Sequence, residues 1–303
     1  MANVGIVGLG AMGSAMAIRL LEAQNKVFGH DIRPACVAEL EKNGGTGCAS
    51  AREVAEKSDY FIFSLPSAAA YHEVASGPNG VAASGKKGLI AVCTCTLHIA
   101  DKVKARDALA KAGITLLDTP VSGTRPSILA NTLAIYGSGD EAAYRKVEPV
   151  LKQFAKTADY MGEFGNASKL KYILNHLVAV HNAAAAEAMT LAKKGGLDIK
   201  VVQQLVADTY ASSGVWRGRG KMMADRDYVT SRGTYGIARK DAQIISDFAI
   251  ENLAPVPMFQ AALQMHRAGM AQGYTQNDAA SLFEVYLKLA GDPDALPPQK
   301  PVI

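Results

Sequence analysis

Cysteine, tryptophan and long unbroken apolar runs are all scarce in this chain. Its 303 residues include four cysteines, Cys36, Cys48, Cys93 and Cys95. They are few for this length, none forms a C-x-x-C pair, and a core of this size needs no disulfide staples. Cys93 and Cys95 are two apart and, on a strand, would share a face too close for a normal bridge. Only His98 lies near them, too few donors for a tetrahedral site, and no metal is expected. Reduced thiols in a cytoplasmic protein are the simpler reading. Aromatic residues are 7% of the chain, and no stacking platform accompanies the short Arg217-Gly218-Arg219-Gly220 run. With Lys+Arg 32 against Asp+Glu 28, the net charge is only +4. Nucleic acid is therefore not an expected partner. The most helix-like apolar stretch, Leu170 to Ala192, carries Lys171, Asn175, His176, His181, Asn182 and Glu187, too polar to span a bilayer. The amino-terminal residues have no basic n-region, and no secretory signal is expected.

What is present is an ordinary globular composition, 49% hydrophobic and 20% charged, with length enough for two domains. Residues 3 to about 163 alternate short apolar runs with helical patterns. The strands expected are Val4–Val7, Lys26–Gly29, Tyr60–Ser64, Leu89–Val92 and Ile114–Leu117, with another near Leu133–Tyr136 before a helix over Asp140–Phe154. Mostly unbroken apolar strands separated by helices imply a doubly wound parallel sheet covered on both faces, a Rossmann-like α/β domain. From Asn166 to Gly195 one long helical pattern follows, ended by Gly195-Gly196. Helical blocks over Ile199–Tyr210, Arg239–Asn252, Met258–Met270 and Asp278–Leu289 come after it. A dinucleotide-binding domain over 1–163 and an all-helical substrate and oligomerisation domain over 164–303 are expected, the long helix leading from one to the other.

Gly8-Leu9-Gly10-Ala11-Met12-Gly13 fits G-x-G-x-x-G between a strand and a helix. In that context Gly8 permits the tight turn, Gly10 admits a pyrophosphate to the backbone, and Gly13 lets helix and strand pack closely. The helix amino end supplies free amides and a positive dipole end. Asp31 ends the second strand, where an acidic side chain accepts hydrogen bonds from the adenosine ribose. Asp31 would repel a 2′-phosphate, which favours NAD over NADP, while Arg33 partly offsets it.

On the long helix, Lys171, Asn175 and Asn182 fall within about 40° of one another at 100° per residue, one polar stripe on an apolar helix. A lysine partly withdrawn from water can exchange a proton near neutral pH. An asparagine one turn on can orient it without adding charge. The alternative is the solvated face of a surface helix.

Taken in order, Val7–Gly13, Asp118-Thr119-Pro120-Val121-Ser122-Gly123 and Gly165-x-Ala167-x-x-x-Lys171-x-x-x-Asn175 resemble the β-hydroxyacid dehydrogenases, the 3-hydroxyisobutyrate dehydrogenase-like enzymes. The resemblance covers nearly the whole chain and extends to Lys240-Asp241. It implies that Lys171 is the catalytic proton donor or acceptor and that Asn175 helps hold the substrate. It implies that Ser122 and Gly123, with Thr124 beside them, bind a carboxylate. Gly8, Leu9, Gly10, Ala11, Met12, Gly13, Asp31, Arg33, Leu65, Pro66, Thr94 and Lys240 correspond to cofactor contacts, and Asp241 to the substrate side. The implied activity is NAD(P)-dependent interconversion of a small 3-hydroxy acid and its semialdehyde or keto form. The substrates compatible with it are hydroxyisobutyrate, glycerate or tartronate semialdehyde, threonate-like sugar acids and larger acids. A carbonyl or imine reductase on the same scaffold, or a silent binding module, are the alternatives.

This sequence departs from the family pattern where the substrate is recognised. Thr119 and Thr124 replace an Ala and a second Gly, and Thr124 would narrow the pocket floor. Cys93-Thr94-Cys95-Thr96 replaces a Ser-Thr-Val pattern, His176 a frequent second Asn, and Gly233 an aromatic. Arg217, Arg219 and Lys221, with Arg226 and Arg232 behind them, could clamp a second anionic group; a solvated loop balanced by Asp225 and Asp227 is the simpler reading. The apolar long helix could be covered by a neighbouring subunit, so a homodimer or homotetramer is expected.

Overall fold

The computed structural model describes residues 1–229 and 235–300, without the side chains of 236–238. Gly233 and Arg232 therefore lie outside the described residues. The chain divides into two compact units, 1–171 and 172–303.

In the first unit the strands are β1 (Asn3–Val7), β2 (Lys26–His30), β3 (Thr46–Gly47), β4 (Tyr60–Phe63), β5 (Ile90–Cys93) and β6 (Thr115–Asp118), in the parallel order β3-β2-β1-β4-β5-β6. The connecting helices are α1 (Ala11–Glu22), α2 (Pro34–Lys42), α3 (Ala51–Glu56), α4 (Ala68–Ser76) and α5 (Ile99–Lys111). Successive strand side chains enter opposite faces. Val4, Ile6, Ile62 and Val92 thus join one apolar cluster, and Val7, Phe61, Phe63 and Cys93 join another. Both faces are dry, which is why the strands read as unbroken apolar runs. The order reverses between β1 and β4, and the loops leaving their carboxyl ends open at that switch point.

Helix starts follow local capping. Ser50 and Ser67 accept from Glu53 N and Ala70 N ahead of α3 and α4, and Pro34 opens α2 where its missing N–H costs nothing. Helix α1 begins at Ala11, inside the glycine motif and earlier than its apolar periodicity announces, because Ser14 N already reaches Gly10 O at 2.9 Å.

A second, three-stranded sheet runs β7 (Val121–Ser122), β8 (Ala134–Gly137) and β9 (Thr157–Tyr160), with α6 (Arg125–Leu129) and α7 (Glu141–Leu151) between its strands. Strands β3, β7 and β9 are absent from the sequence reading: two of them are two residues long, and β9 exposes both Thr157 and Asp159.

Helix α8 (Asn166–Lys194) starts in the first unit and continues into the second. The second unit adds α9 (Ile199–Ala207), a π-helical turn over Trp216–Gly220, α10 (Lys221–Asp225), α11 (Tyr235–Glu251), α12 (Pro257–Ala271) and α13 (Leu282–Leu289). Ala186, Met189, Trp216, Met223, Phe283 and Leu287 are among its core. The segment after α13 is held by buried Glu284, which takes a bidentate pair from Arg226 and also accepts from Tyr228 Oη and Leu296 N. Among the described residues no helix is long and apolar enough to cross a membrane.

Candidate active site

At the end of β1, Gly8 takes φ +92°, and a Cβ there would lie 2.2 Å from Ser64 O, at the end of β4. A Cβ on Gly13 would lie 1.9 Å from Gly8 O. The turn is thus wedged between the β4 loop and its own helix, and only glycines allow it. Helix α1 has Gly10 as its N-cap with no side-chain cap bond, and its first turn holds no acidic residue. The amides of Ala11, Met12 and Gly13 have no intrahelical acceptor by construction, and they carry the positive end of the dipole. These residues fit the phosphates of a dinucleotide: an uncapped end, no acidic residue in the first turn, and a glycine as the N-cap.

Asp31 follows β2 with its side chain 6% exposed. Leu9 N donates to its Oδ2 at 2.8 Å, and Arg33 donates from its backbone N (2.9 Å) and Nε (3.1 Å) to Oδ1. Burial pushes this carboxyl up, but the hydrogen bonds and charge of Arg33 and the Leu9 amide outweigh it and hold it below the ordinary carboxylate range. Arg33 is thereby turned onto Asp31. In the loops after β4 and β5, Leu65 is half-buried and its N donates to Cys95 Sγ at 3.1 Å, while Pro66 is exposed. Thr94 is buried, its Oγ1 donating to Phe63 O at 2.7 Å.

The Ser122–Thr124 loop leaves the short β7, whose Ser122 pairs opposite Ala134. Gly123 has φ +143°, and a Cβ would come 2.7 Å from Leu133 Cδ1. Thr124 caps α6: its N donates to Ser127 Oγ at 3.1 Å and the two hydroxyls are 3.2 Å apart. Thr124 therefore has a local task, as a hydroxyl residue at an N-cap.

Helix α8 begins on a set of buried groups. Gly165 N and Ala167 N both donate to Ser138 Oγ at 3.2 Å, and Ser168 N donates to Asp118 Oδ2 at 2.9 Å. Asn166 N reaches Glu163 O at 3.0 Å. Every amide of this first turn is engaged. Asp118 is itself fully buried and accepts from Lys102 Nζ at 2.7 Å, also fully buried, and from Ser168 Oγ at 2.8 Å. Lys171 stands one turn beyond, half-buried, as the last residue of the unit.

In the second unit, Asn175 Nδ2 donates to Asp241 Oδ2 at 2.8 Å. Lys240 Nζ lies 3.0 Å from Asp241 Oδ1 as an ion pair, off the line a hydrogen bond needs, since that buried oxygen has no aligned donor. Three of the expected contacts are thus one cluster. Asn182, third in the polar stripe, is fully buried and donates to Ala279 O at 2.9 Å, a packing contact within this unit. His176 stacks on Phe259 at 4.9 Å, and burial, with His181, pushes its imidazole down. The basic run is matched locally: Arg219 pairs with Asp278 at 2.9 Å, Arg217 donates to Ser212 Oγ, and Lys221 pairs with Asp225. Asp227 instead accepts from Val229 N.

Lys102, Ser138 and Ser168 are absent from the sequence reading. One signal was available: Lys102, Ala105 and Leu109, spaced i, i+3 and i+7, are the buried stripe of α5. A lysine at an apolar position of that stripe marks a buried partner.

Two family models match in succession. The NAD binding domain of 6-phosphogluconate dehydrogenase matches residues 3–162, and the NAD-binding region of NADP-dependent 3-hydroxyisobutyrate dehydrogenase matches residues 165–286. The chain is 31% identical over 286 residues to L-threonate dehydrogenase of Escherichia coli (strain K12), covering 94% of each. It is 29% identical over 289 residues to 2-(hydroxymethyl)glutarate dehydrogenase of Eubacterium barkeri, covering 95% of this chain and 96% of that one. Among solved structures, 3-hydroxyisobutyrate dehydrogenase from Salmonella typhimurium superposes with a TM-score of 0.84 at 32% identity, covering 93% of this chain and 99% of that one.

Proposed function

Because the chain belongs to the β-hydroxyacid dehydrogenase family and is an NAD(P)-dependent hydroxyacid dehydrogenase, we propose that it oxidises a small 3-hydroxy acid with Lys171 as the general base. The observation that carries this reading is the anchorage of α8: a lysine one turn beyond a first turn whose amides are all engaged is held at a defined reach. The amino end of α1 would hold the pyrophosphate, with Gly8, Leu9, Gly10, Ala11, Met12 and Gly13 as its cradle and Asp31 for the ribose. Leu65, Pro66 and Thr94 would serve the nicotinamide half, and Lys240 is the further cofactor contact that the resemblance names. A nicotinamide dinucleotide held by these residues would supply the hydride acceptor for the carbinol carbon.

Everything else is the work of the chain. Lys171, neutral, removes the hydroxyl proton as the carbonyl forms, and as ammonium it returns that proton in the reverse direction. Ser122 and Gly123 donate to the substrate carboxylate, with Thr124 closing the loop, and so set the carbinol in place. Asn175 and Asp241 act as a bonded pair on the substrate side. The pairing of Asp31 with Arg33 supports NAD, since the guanidinium faces a carboxylate already in place. A homodimer or homotetramer is supported by the exposed Ile173, Leu177 and Val178 on α8, and a cytoplasmic site by the few cysteines.

The test is a substrate panel of L-threonate, 3-hydroxyisobutyrate and 2-(hydroxymethyl)glutarate with NAD⁺ and NADP⁺ separately, followed by nicotinamide absorbance, in the wild type and Lys171→Ala. Turnover should fall by roughly 10²- to 10⁴-fold in the variant, with dinucleotide affinity unchanged. Near-full activity in Lys171→Ala would remove the role given to that lysine. No turnover of any hydroxy acid by the wild type would favour a silent binding module.

A further inference from the structure

The carboxylate of Asp118 and the ammonium of Lys102 are both fully buried, and neither belongs to the cofactor cradle or the carboxylate loop. Two buried charges are costly, and an apolar pair of similar volume would fill the same space at no loss of stability. What an apolar pair could not supply is direction. Lys102 on α5 donates to Asp118 Oδ1 and, at 2.9 Å, to Ser168 Oγ. Ser168 returns its own hydroxyl to Asp118 Oδ1 and its backbone N to Oδ2. Ser138 Oγ donates to Oδ2 at 3.2 Å and accepts from two more amides of the turn. Three elements, α5, β6 and α8, meet in one closed set of hydrogen bonds. Ser168 and Lys171 are three residues apart, adjacent on the helix surface.

We propose that Lys102 is a positioning residue for the reaction: with Asp118 and Ser168 it fixes the rotation of the first turn of α8 and thereby the reach of Lys171. The proposal rests on the reading of Lys171 as the proton carrier. Asp118 takes the hydroxyl of Ser168 on Oδ1 and its amide on Oδ2, and Lys102 bonds both Oδ1 and the Ser168 hydroxyl, so the three side chains hold one arrangement. Without Lys102 the buried Asp118 loses its charged partner, and the set facing Ser168 must rearrange. Lys171 would then swing off its line to the carbinol while the cofactor cradle, built from α1 and β4, stays as it was.

A purely structural role lowers stability and leaves turnover alone; a positioning role lowers kcat at constant dinucleotide affinity. The full chain is assayed with the fastest hydroxy acid of the panel and the dinucleotide that supports it, as Ser168→Ala, Ser168→Thr and the doubly neutral Lys102→Met/Asp118→Asn. Ser168→Ala and the double variant should lose roughly 10- to 100-fold in kcat, the scale of a misplaced reacting group, with KM for the dinucleotide and its calorimetric Kd unchanged. Ser168→Thr, which keeps the hydroxyl, should recover most of that loss. Wild-type kcat in Ser168→Ala would overturn the inference, as would a loss that Ser168→Thr does not recover. If the double variant fails to fold, the Ser168 pair decides alone. Lys171→Ala, run alongside, separates the two claims. If it is inactive while Ser168→Ala is normal, only the positioning role falls; if it is active, the acid–base reading falls first.

Discussion

Helices α1 and α8 both begin within the first unit, and their amino ends are built in opposite ways. That of α1 is bare: Gly10 offers no side chain, the first turn holds no acid, and the glycines on either side are pressed against backbone. That of α8 is full, with Ser138 and Asp118 taking the amides of Gly165, Ala167 and Ser168. A helix start presents the same orphan donors in either case. Left open at a sheet's switch point, they are a place for an anion to come and go. Closed by buried side chains, they become an anchor that cannot exchange. One end suits a ligand and the other a fixed reach.

Substitutions can break this contrast. The largest effect is expected from Gly13→Ala, whose methyl would meet Gly8 O. Overpacking of this kind costs about 1–3 kcal/mol, and because it displaces the turn that would meet the phosphates, dinucleotide affinity should fall by up to roughly 5- to 150-fold by calorimetry. Ser138→Ala leaves two amides at the start of α8 without their acceptor and should cost about 1–3 kcal/mol in urea unfolding, with dinucleotide Kd unchanged. Ala11→Asp places an anion at the open end. It should weaken dinucleotide binding by roughly 2- to 5-fold while raising Tm slightly, since a charge there interacts with the dipole by about 0.3–1 kcal/mol. Equal affinity in Ala11→Asp and wild type would mean that α1 does not hold the anion.

The smallest effect concerns Asp31. Its carboxyl is held below the ordinary range, so its contribution to stability is present above the unfolded value of about 4 and is lost as pH falls through the lower folded value. Asp31→Asn should therefore be less stable than wild type at neutral pH and should converge with it in acid. A gap that persists below the folded value would assign the effect to packing.

Much of the fold could be read from the chain because its signals are local. Apolar runs of four or five residues bounded by turns marked β1, β2, β4, β5 and β6, and the Ala-rich run from Asn166 marked α8. Strands β3 and β7 are two residues long, shorter than any periodicity can register, and exist because a neighbour offers hydrogen bonds. The glycine motif announced the cradle because each glycine answers a local steric demand. The Asn175–Asp241 bond joins residues 66 apart, and the sequence named both members without hinting that they touch. Thr124 read as narrowing a pocket floor, and nothing local announced that it also meets Ser127, three residues on, at the start of α6.

The sequence by itself determined the alternation of strand and helix, the glycine turn and the order of the motifs, since backbone sterics and side-chain periodicity act over a few residues. Tertiary structure alone decided which carboxylate the buried Lys102 meets, and that α8 is closed where α1 is open. A charged side chain is exposed by default, and what makes its burial tolerable is a set of partners drawn from residues 16 and 66 positions away, brought together only when the sheet and its helices have packed.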